Sequence, residues 1–441
     1  MKLYVLKISI ILFVVVTGGL LYLHKDVSRK SYYVTSAECK NCHQSRYESW
    51  NKTMHPKMFK PVETPDDILG DFNSADPALT FTKEDIEYVV GSKWEQVYAR
   101  MIDGEYYPFP AKWYVIKKKW VPYKVNTWKK TPMSKKCNGC HTTGFNPVTL
   151  EFAEFGIGCE ACHGPGSTHV KNTRQASLAL CGLCHKKEQR YENDIIATVN
   201  SSVCGQCHNR GVNTSNDRVQ EAEFNFPVNF TPGDNIDNSF IQANVEDDPK
   251  KQYWWGNGLS KNRHQEYADW VNSKHSQALR LLLENHPSNT DRGELTDECL
   301  KCHATDYRLA EEGAKPTIES ARHGVTCVAC HEPHGFGEAA AFSKDGTTTC
   351  AGCHIDSMSL TSAQKGKPHY PCPSGKAACT DCHMPYIIKT GGFFGLRSHA
   401  FKIIPPASTL EPDMPNSCQN GNCHINKSLE WAMDAFKKYY P

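Results

Sequence analysis

Nine times in 441 residues the chain reads Cys-x-x-Cys-His, beginning at Cys39, Cys137, Cys159, Cys181, Cys204, Cys299, Cys327, Cys350 and Cys379. No other feature restricts the fold as much. Two thiols three positions apart can add to the two vinyl groups of one haem, and the adjacent histidine is then held beneath the iron as its proximal ligand. Zinc ribbons use cysteine pairs without a histidine after every second one, and a disulfide scaffold needs no histidine at all. The attachment thiols are therefore Cys39 and Cys42, Cys137 and Cys140, Cys159 and Cys162, Cys181 and Cys184, Cys204 and Cys207, Cys299 and Cys302, Cys327 and Cys330, Cys350 and Cys353, and Cys379 and Cys382. A tenth site, Cys418-Gln-Asn-Gly-Asn-Cys423-His424, is read as a longer form of the same motif. Ten sites use twenty of the 21 cysteines and leave Cys372, read as a buried or intermolecularly paired thiol or as a distal ligand. The expected cofactor is haem c, ten per chain.

The proximal ligands are His43, His141, His163, His185, His208, His303, His331, His354, His383 and His424. Besides His24, this leaves His55, His169, His264, His275, His286, His323, His334, His369 and His399 as candidate distal ligands. Two imidazoles saturate an iron and keep it low-spin, which suits outer-sphere electron transfer and leaves no position for a substrate. His334, three residues after His331, cannot readily reach the far face of the same haem and is expected to ligate a neighbouring one. Nine candidates for ten irons leave one haem to methionine, thiolate, water or an open site. Met54, Met58, Met384, Met414 and Cys372 are the nearby protein alternatives.

Roughly forty residues per haem cannot build an ordinary core, so the porphyrins must supply much of the apolar volume. The fold expected is mainly α with long loops and a small β-insertion at about 80–130, organised around stacked haems. The insertion is read from Tyr88-Val-Val90, Trp113-Tyr-Val-Ile116 and Trp120-Val-Pro-Tyr123 around the turn pair Asp103-Gly104. Two halves look alike. Tyr47, Trp50, Thr53 and His55 have the spacing of Tyr267, Trp270, Ser273 and His275, and Gly156-Ile-Gly-Cys-Glu-Ala-Cys-His163 parallels Gly324-Val-Thr-Cys-Val-Ala-Cys-His331. Haems two to five and six to nine are expected to form two clusters. A first module over 31–220 with haems one to five, a linker over 221–262 and a second module over 263–441 with haems six to ten follow.

Residues Ile8 to Leu23 form an apolar run flanked by Lys2, Lys7, Lys25, Arg29 and Lys30. No small-x-small cleavage pattern closes it, so residues 1–30 read as an uncleaved membrane anchor rather than a cleaved signal peptide. Covalent haem attachment occurs on the exported side of a membrane, which places the body in the periplasm or outside the cell, tethered to the inner membrane. With 50 basic and 48 acidic residues the chain has no nucleic-acid footprint.

On these motifs the sequence resembles the multihaem c-type cytochromes, the group that includes the tetrahaem electron acceptor of hydroxylamine oxidoreductase. The resemblance spans most of residues 37–437. It is carried by Cys39 to His43 with Trp50 and Thr53-Met-His55, by Cys159 to His163 with Gly-Pro-Gly-Ser-Thr-His169, by Arg322-His-Gly-Val-Thr-Cys327 with Cys330-His-Glu-Pro-His334, and by Cys382-His-Met-Pro385. It implies distal ligation by residues at the positions of His55, His169, His275, His323, His334 and His399. It also implies an electron-carrying role, and the partners expected are redox partner proteins or a quinol-linked donor, or other cytochrome subunits. The alternative is an oxidoreductase acting on a small nitrogen or sulfur compound at one open haem. No Cys-x-x-Cys-Lys variant, the mark of the catalytic haem in some multihaem nitrite reductases, is present.

Overall fold

The computed structural model describes residues 31–175, 195–213, 224–243, 245–246, 248, 253–285, 294–335, 347–354, 378–410, 414–420 and 423–439. The apolar run of residues 1–30, the motif at Cys181 to His185, His286, His369 and Cys372 lie outside these residues. Among the described residues no helix is long and apolar enough to cross a membrane.

The largest packed unit is an antiparallel sheet of five strands, β1 (Phe59–Pro61), β2 (Tyr88–Val90), β3 (Glu95–Ile102), β4 (Glu105–Tyr114) and β5 (Lys119–Pro122), arranged in chain order. Asp103 and Gly104 join β3 to β4, with φ of 51° and 82°. Positive φ at both turn residues is what a tight hairpin between right-twisted strands requires, and Asp-Gly supplies it at low cost. Alternation along the strands divides the side chains between two faces. Val89, Tyr98, Phe109, Trp113 and Trp120 pack with Ile68, Phe81 and Ile86 of the loop that covers one face. Phe59, Val90 and Ala99 pack on the other face against Met133, with Cys137, Phe152 and Phe155 around them. The sheet thus bears directly on the second haem motif.

A mainly α fold is not what forms. Among the described residues helix makes up 32% and strand 16%, close to the average mixture of a globular protein. The longest described helix, Leu429–Tyr439, has 11 residues, and the helices over the haem motifs are single turns such as Asn138–His141, Cys159–His163 and Cys379–His383. Motif spacing dictates one helical turn and no more. After His163 the chain leaves the helix through Gly164 at φ 85° and Pro165, which cannot continue it.

The remaining apolar residues gather in three further clusters, among them Leu279, Leu282, Leu300 and Tyr307, and Trp255, Leu259, Ile387, Ile388, Ile404 and Met414. Met414, a candidate distal ligand, belongs to the second of these. Its thioether accepts from Asn257 Nδ2 at 3.5 Å, and the residue is 1% exposed.

Candidate functional site

Each half presents the same set of contacts around its haem motifs. In the first, Trp50 Nε1 donates to the Ile157 carbonyl at 3.0 Å, and in the second Trp270 Nε1 donates to the Val325 carbonyl at 2.8 Å. The Thr143 hydroxyl donates to the Gly156 carbonyl at 2.9 Å, as the Thr305 hydroxyl does to Gly324 at 2.7 Å. Ser36 Oγ accepts from the Cys159 amide at 3.0 Å, as Ser201 Oγ does from Cys327 at 3.1 Å. Facing thiols repeat the relation: Cys39 is hydrogen-bonded to Cys159, and Cys204 to Cys327. Gly156 has φ of 70°, and a Cβ there would stand 2.4 Å from the Pro56 carbonyl, so only glycine lets the His55 segment lie against motif three.

These contacts make motifs one, two and three equivalent to motifs five, six and seven. The duplication therefore starts one motif earlier than the clusters expected from sequence. Cys140 meets Cys207 and Cys302 meets Cys353, while Cys350 lies within reach of Cys379. Motif five accordingly sits beside motifs two and seven, and motif eight beside six and nine.

The histidines are oriented for metal binding. His163 Nδ1 lies 2.7 Å from the Ile196 carbonyl, His141 Nδ1 3.3 Å from Met58, and His303 Nδ1 3.2 Å from Ala278. A ring nitrogen facing a carbonyl must carry the proton, which leaves the Nε2 lone pair for a metal. Met58 and Ala278 each follow the candidate distal histidine, His55 or His275, by three residues, so this contact also repeats. His264 and His399 are held likewise, by the carbonyls of Cys207 and Arg397 at 3.2 Å each, and His334 by the Glu332 carboxylate at 3.0 Å. The buried Asp269 fixes the His399 segment, accepting from the His399 amide at 3.0 Å and the Ser398 hydroxyl at 2.7 Å. Burial lowers the imidazoles of His55, His141, His275 and His331 to about 4, so each is neutral and able to coordinate at neutral pH.

Two imidazoles on opposite faces of one iron, each with a metal–nitrogen bond of about 2 Å, place their ring centroids roughly 6 Å apart. Four histidine pairs have this separation: His43 and His169 at 6.3 Å, His163 and His334 at 5.9 Å, His275 and His354 at 6.1 Å, and His331 and His399 at 6.1 Å. Each joins a motif histidine to a candidate distal one, and the rings of His163 and His334 are within 6° of parallel. His55 feels the charge of His208, as His275 feels that of His354. The residues fit the haem reading on this geometry.

Sequence comparison adds the family. The profile described as cytochrome c554 and c-prime matches residues 38–84, 113–164 and 261–332, and a doubled Cys-x-x-Cys-His profile matches 320–359. A solved structure titled outer cell wall cytochrome OcwA shares 28% identity, covers 92% of this chain and 86% of its own, and superposes with a TM-score of 0.75. This chain is a multihaem c-type cytochrome. The cytochrome is also similar to an undecahaem cytochrome from the S-layer of Carboxydothermus ferrireducens, at 20% identity over 92% of this chain and 60% of the other, with a TM-score of 0.48. No curated protein sequence matches it.

Not every candidate ligand is brought to a motif histidine. The backbone amide of His323 approaches Asp306, at 3.3 Å, between motifs six and seven. The ring of His424 lies 4.9 Å from that of Trp431, tilted at 46° to it.

One residue beside the ligands gave no signal in the motifs. The Glu266 carboxylate lies 3.6 Å from His208 Nδ1, at ion-pair rather than hydrogen-bond distance, with its Oε2 buried. Burial pushes this carboxyl up, yet His208 and His264 beside it more than offset that and hold it at about 2. The proximal rings of motifs two, three and six face neutral carbonyls instead.

Proposed function

We propose that this cytochrome is an extracytoplasmic electron conduit of ten covalent haems, most of them held between two imidazoles. The observation that carries the reading is the set of motif and distal histidines spaced for one iron. Haem iron supplies a one-electron couple, and two imidazole ligands leave it exchanging electrons rather than binding substrate. The axial assignments supported are His169 for motif one, His334 for motif three, His399 for motif seven and His275 for motif eight. The proximity of His55 to His208, parallel to that of His275 to His354, adds His55 for motif five. The thiol contacts would hold neighbouring haems close, motif one against three, two against five, five against seven, six against eight and eight against nine. An extracytoplasmic site agrees with where haem c is attached and with the outer cell wall setting named for the similar cytochrome.

Denaturing mass measurement is expected to show the polypeptide plus ten haems, including one on Cys418 and Cys423, and nine would remove the long motif from the set. His55→Ala and His275→Ala should each create one high-spin haem that binds carbon monoxide when reduced, with all covalent haem retained. Unchanged spin states in both variants would make these histidines packing residues and sink the conduit reading.

Glu266 gives motif five a proximal imidazole of its own kind. A carboxylate facing the ring nitrogen opposite the metal makes the imidazole a stronger donor and favours the ferric state. Glu266→Gln should therefore move the midpoint of one haem positive by roughly 60 mV, a tenfold change for a one-electron couple, and Glu266→Asp should largely restore it. A potentiometric titration in which no single haem shifts would refute this role.

A further inference from the structure

The charge of this chain is unevenly placed. Between Glu105 and Glu151 there is no acidic residue and no arginine, but there are nine lysines: Lys112, Lys117, Lys118, Lys119, Lys124, Lys129, Lys130, Lys135 and Lys136. The rest of the chain, with 41 basic and 48 acidic residues, is net negative. A near-neutral total therefore conceals a positive region on a negative body, which net charge alone does not report.

The fold puts that region at one edge of the sheet. β5 is the last strand in the order and follows the turn that carries Lys117 and Lys118. Lys117, Lys118, Lys119, Lys129 and Lys130 are exposed, and among them stand the apolar Ile116 and Val125, 58% and 54% exposed. Lysines on an edge strand also protect it from pairing with another chain. That accounts for Lys119, but not for the five lysines between 124 and 136, which lie beyond the strand on the approach to Cys137. There the run meets a haem motif: the Lys124 ammonium is lowered by burial while the Cys137 thiol beside it acts in the opposite sense. The motif two thiol Cys140 in turn contacts Cys207 of motif five.

We propose that this lysine edge is the docking surface for an acidic one-electron redox protein, which exchanges electrons with the chain through the haem of motif two. The proposal rests on the conduit reading above. A partner presenting carboxylates around its redox group matches the lysines in charge, and the exposed Ile116 and Val125 match the small apolar contact that transient redox complexes bury. The complex transfers one electron: the reduced partner is oxidised by one, and the motif two iron passes from ferric to ferrous. From there motif five leads to both halves.

Stopped-flow reduction of the full holoprotein by flavodoxin hydroquinone, an acidic flavoprotein, tests this against reduction by the methyl viologen radical cation. Flavodoxin should react at a second-order rate that falls at least tenfold between low and high salt. Lys117→Glu combined with Lys118→Glu, and separately Lys129→Glu combined with Lys130→Glu, should each lower that rate about tenfold or more at low salt. Viologen reduction of the same variants should be unchanged, which also shows that they are folded and haem-loaded. Equal flavodoxin rates in wild type and both variants would overturn the docking surface while leaving the conduit intact. Failure of viologen to reduce most of the haems would instead count against the conduit itself.

Discussion

Made without haem attachment, this chain is expected not to fold. The described apolar residues form five separate clusters, the largest with nine buried members and the others with three to seven. Four of the five are too small to offset the conformational entropy of the segments around them, about 1–2 kcal/mol per residue for backbone alone. The sheet is the exception, because Trp113, Trp120, Tyr98, Phe81 and Phe109 close a core with no motif residue in it. An export-competent host lacking haem-attachment machinery should therefore yield chain that retains some strand signal by circular dichroism but shows no cooperative melting transition and is digested rapidly outside 59–122. A haem-free preparation that melts cooperatively, near the temperature of the holoprotein, would show that the polypeptide packs by itself.

The second large effect concerns His334. It lies 171 residues from His163 in sequence, yet the two rings stand 5.9 Å apart and nearly parallel. On the proposed ligation, an iron held between them would tie the two halves together much as a disulfide closes a long loop, a constraint worth on the order of 2–5 kcal/mol. His334→Ala should abolish it. The variant is expected to keep all its haems, to convert one of them from low-spin to high-spin, and to lose stability by that amount in chemical denaturation. Added imidazole should return the low-spin spectrum without returning the stability, since the free ligand fills the coordination position but links nothing. A variant with wild-type stability and a new high-spin haem would separate ligation from the bridging role. An unchanged spectrum would remove His334 from the ligand set.

Chemistry that is local in the chain was legible in the sequence, and chemistry that joins distant segments was not. The attachment motifs, the Asp103-Gly104 turn and the spacing of Trp50 and His55 against Trp270 and His275 can be read because each lies within about a dozen residues. The helix content could not be read in the same way, since a Cys-x-x-Cys-His segment forms one turn regardless of the propensities around it. β1 also gave no signal, being three residues long and ending in Pro61. The pairing of His43 with His169 or of His163 with His334 depends on tertiary contacts that spacing does not encode. Met414, a candidate by position, lies in the core beside Asn257, a contact that spacing could not show. The extent of the repeat was available but easily passed over: Ser36 and Ser201 stand three residues before their motifs, and Thr143 and Thr305 two residues after their proximal histidines.

Because motif five closes the first set of contacts and opens the second, the two copies overlap instead of abutting. Cys207 answers to Cys140 of the earlier copy while Cys204 answers to Cys327 of the later one. An architecture that shares its terminal member in this way can be lengthened or shortened by a whole period without creating a junction of a new kind. Span then becomes a property that gene duplication can adjust in fixed increments, with every seam built from contacts already present inside the copy.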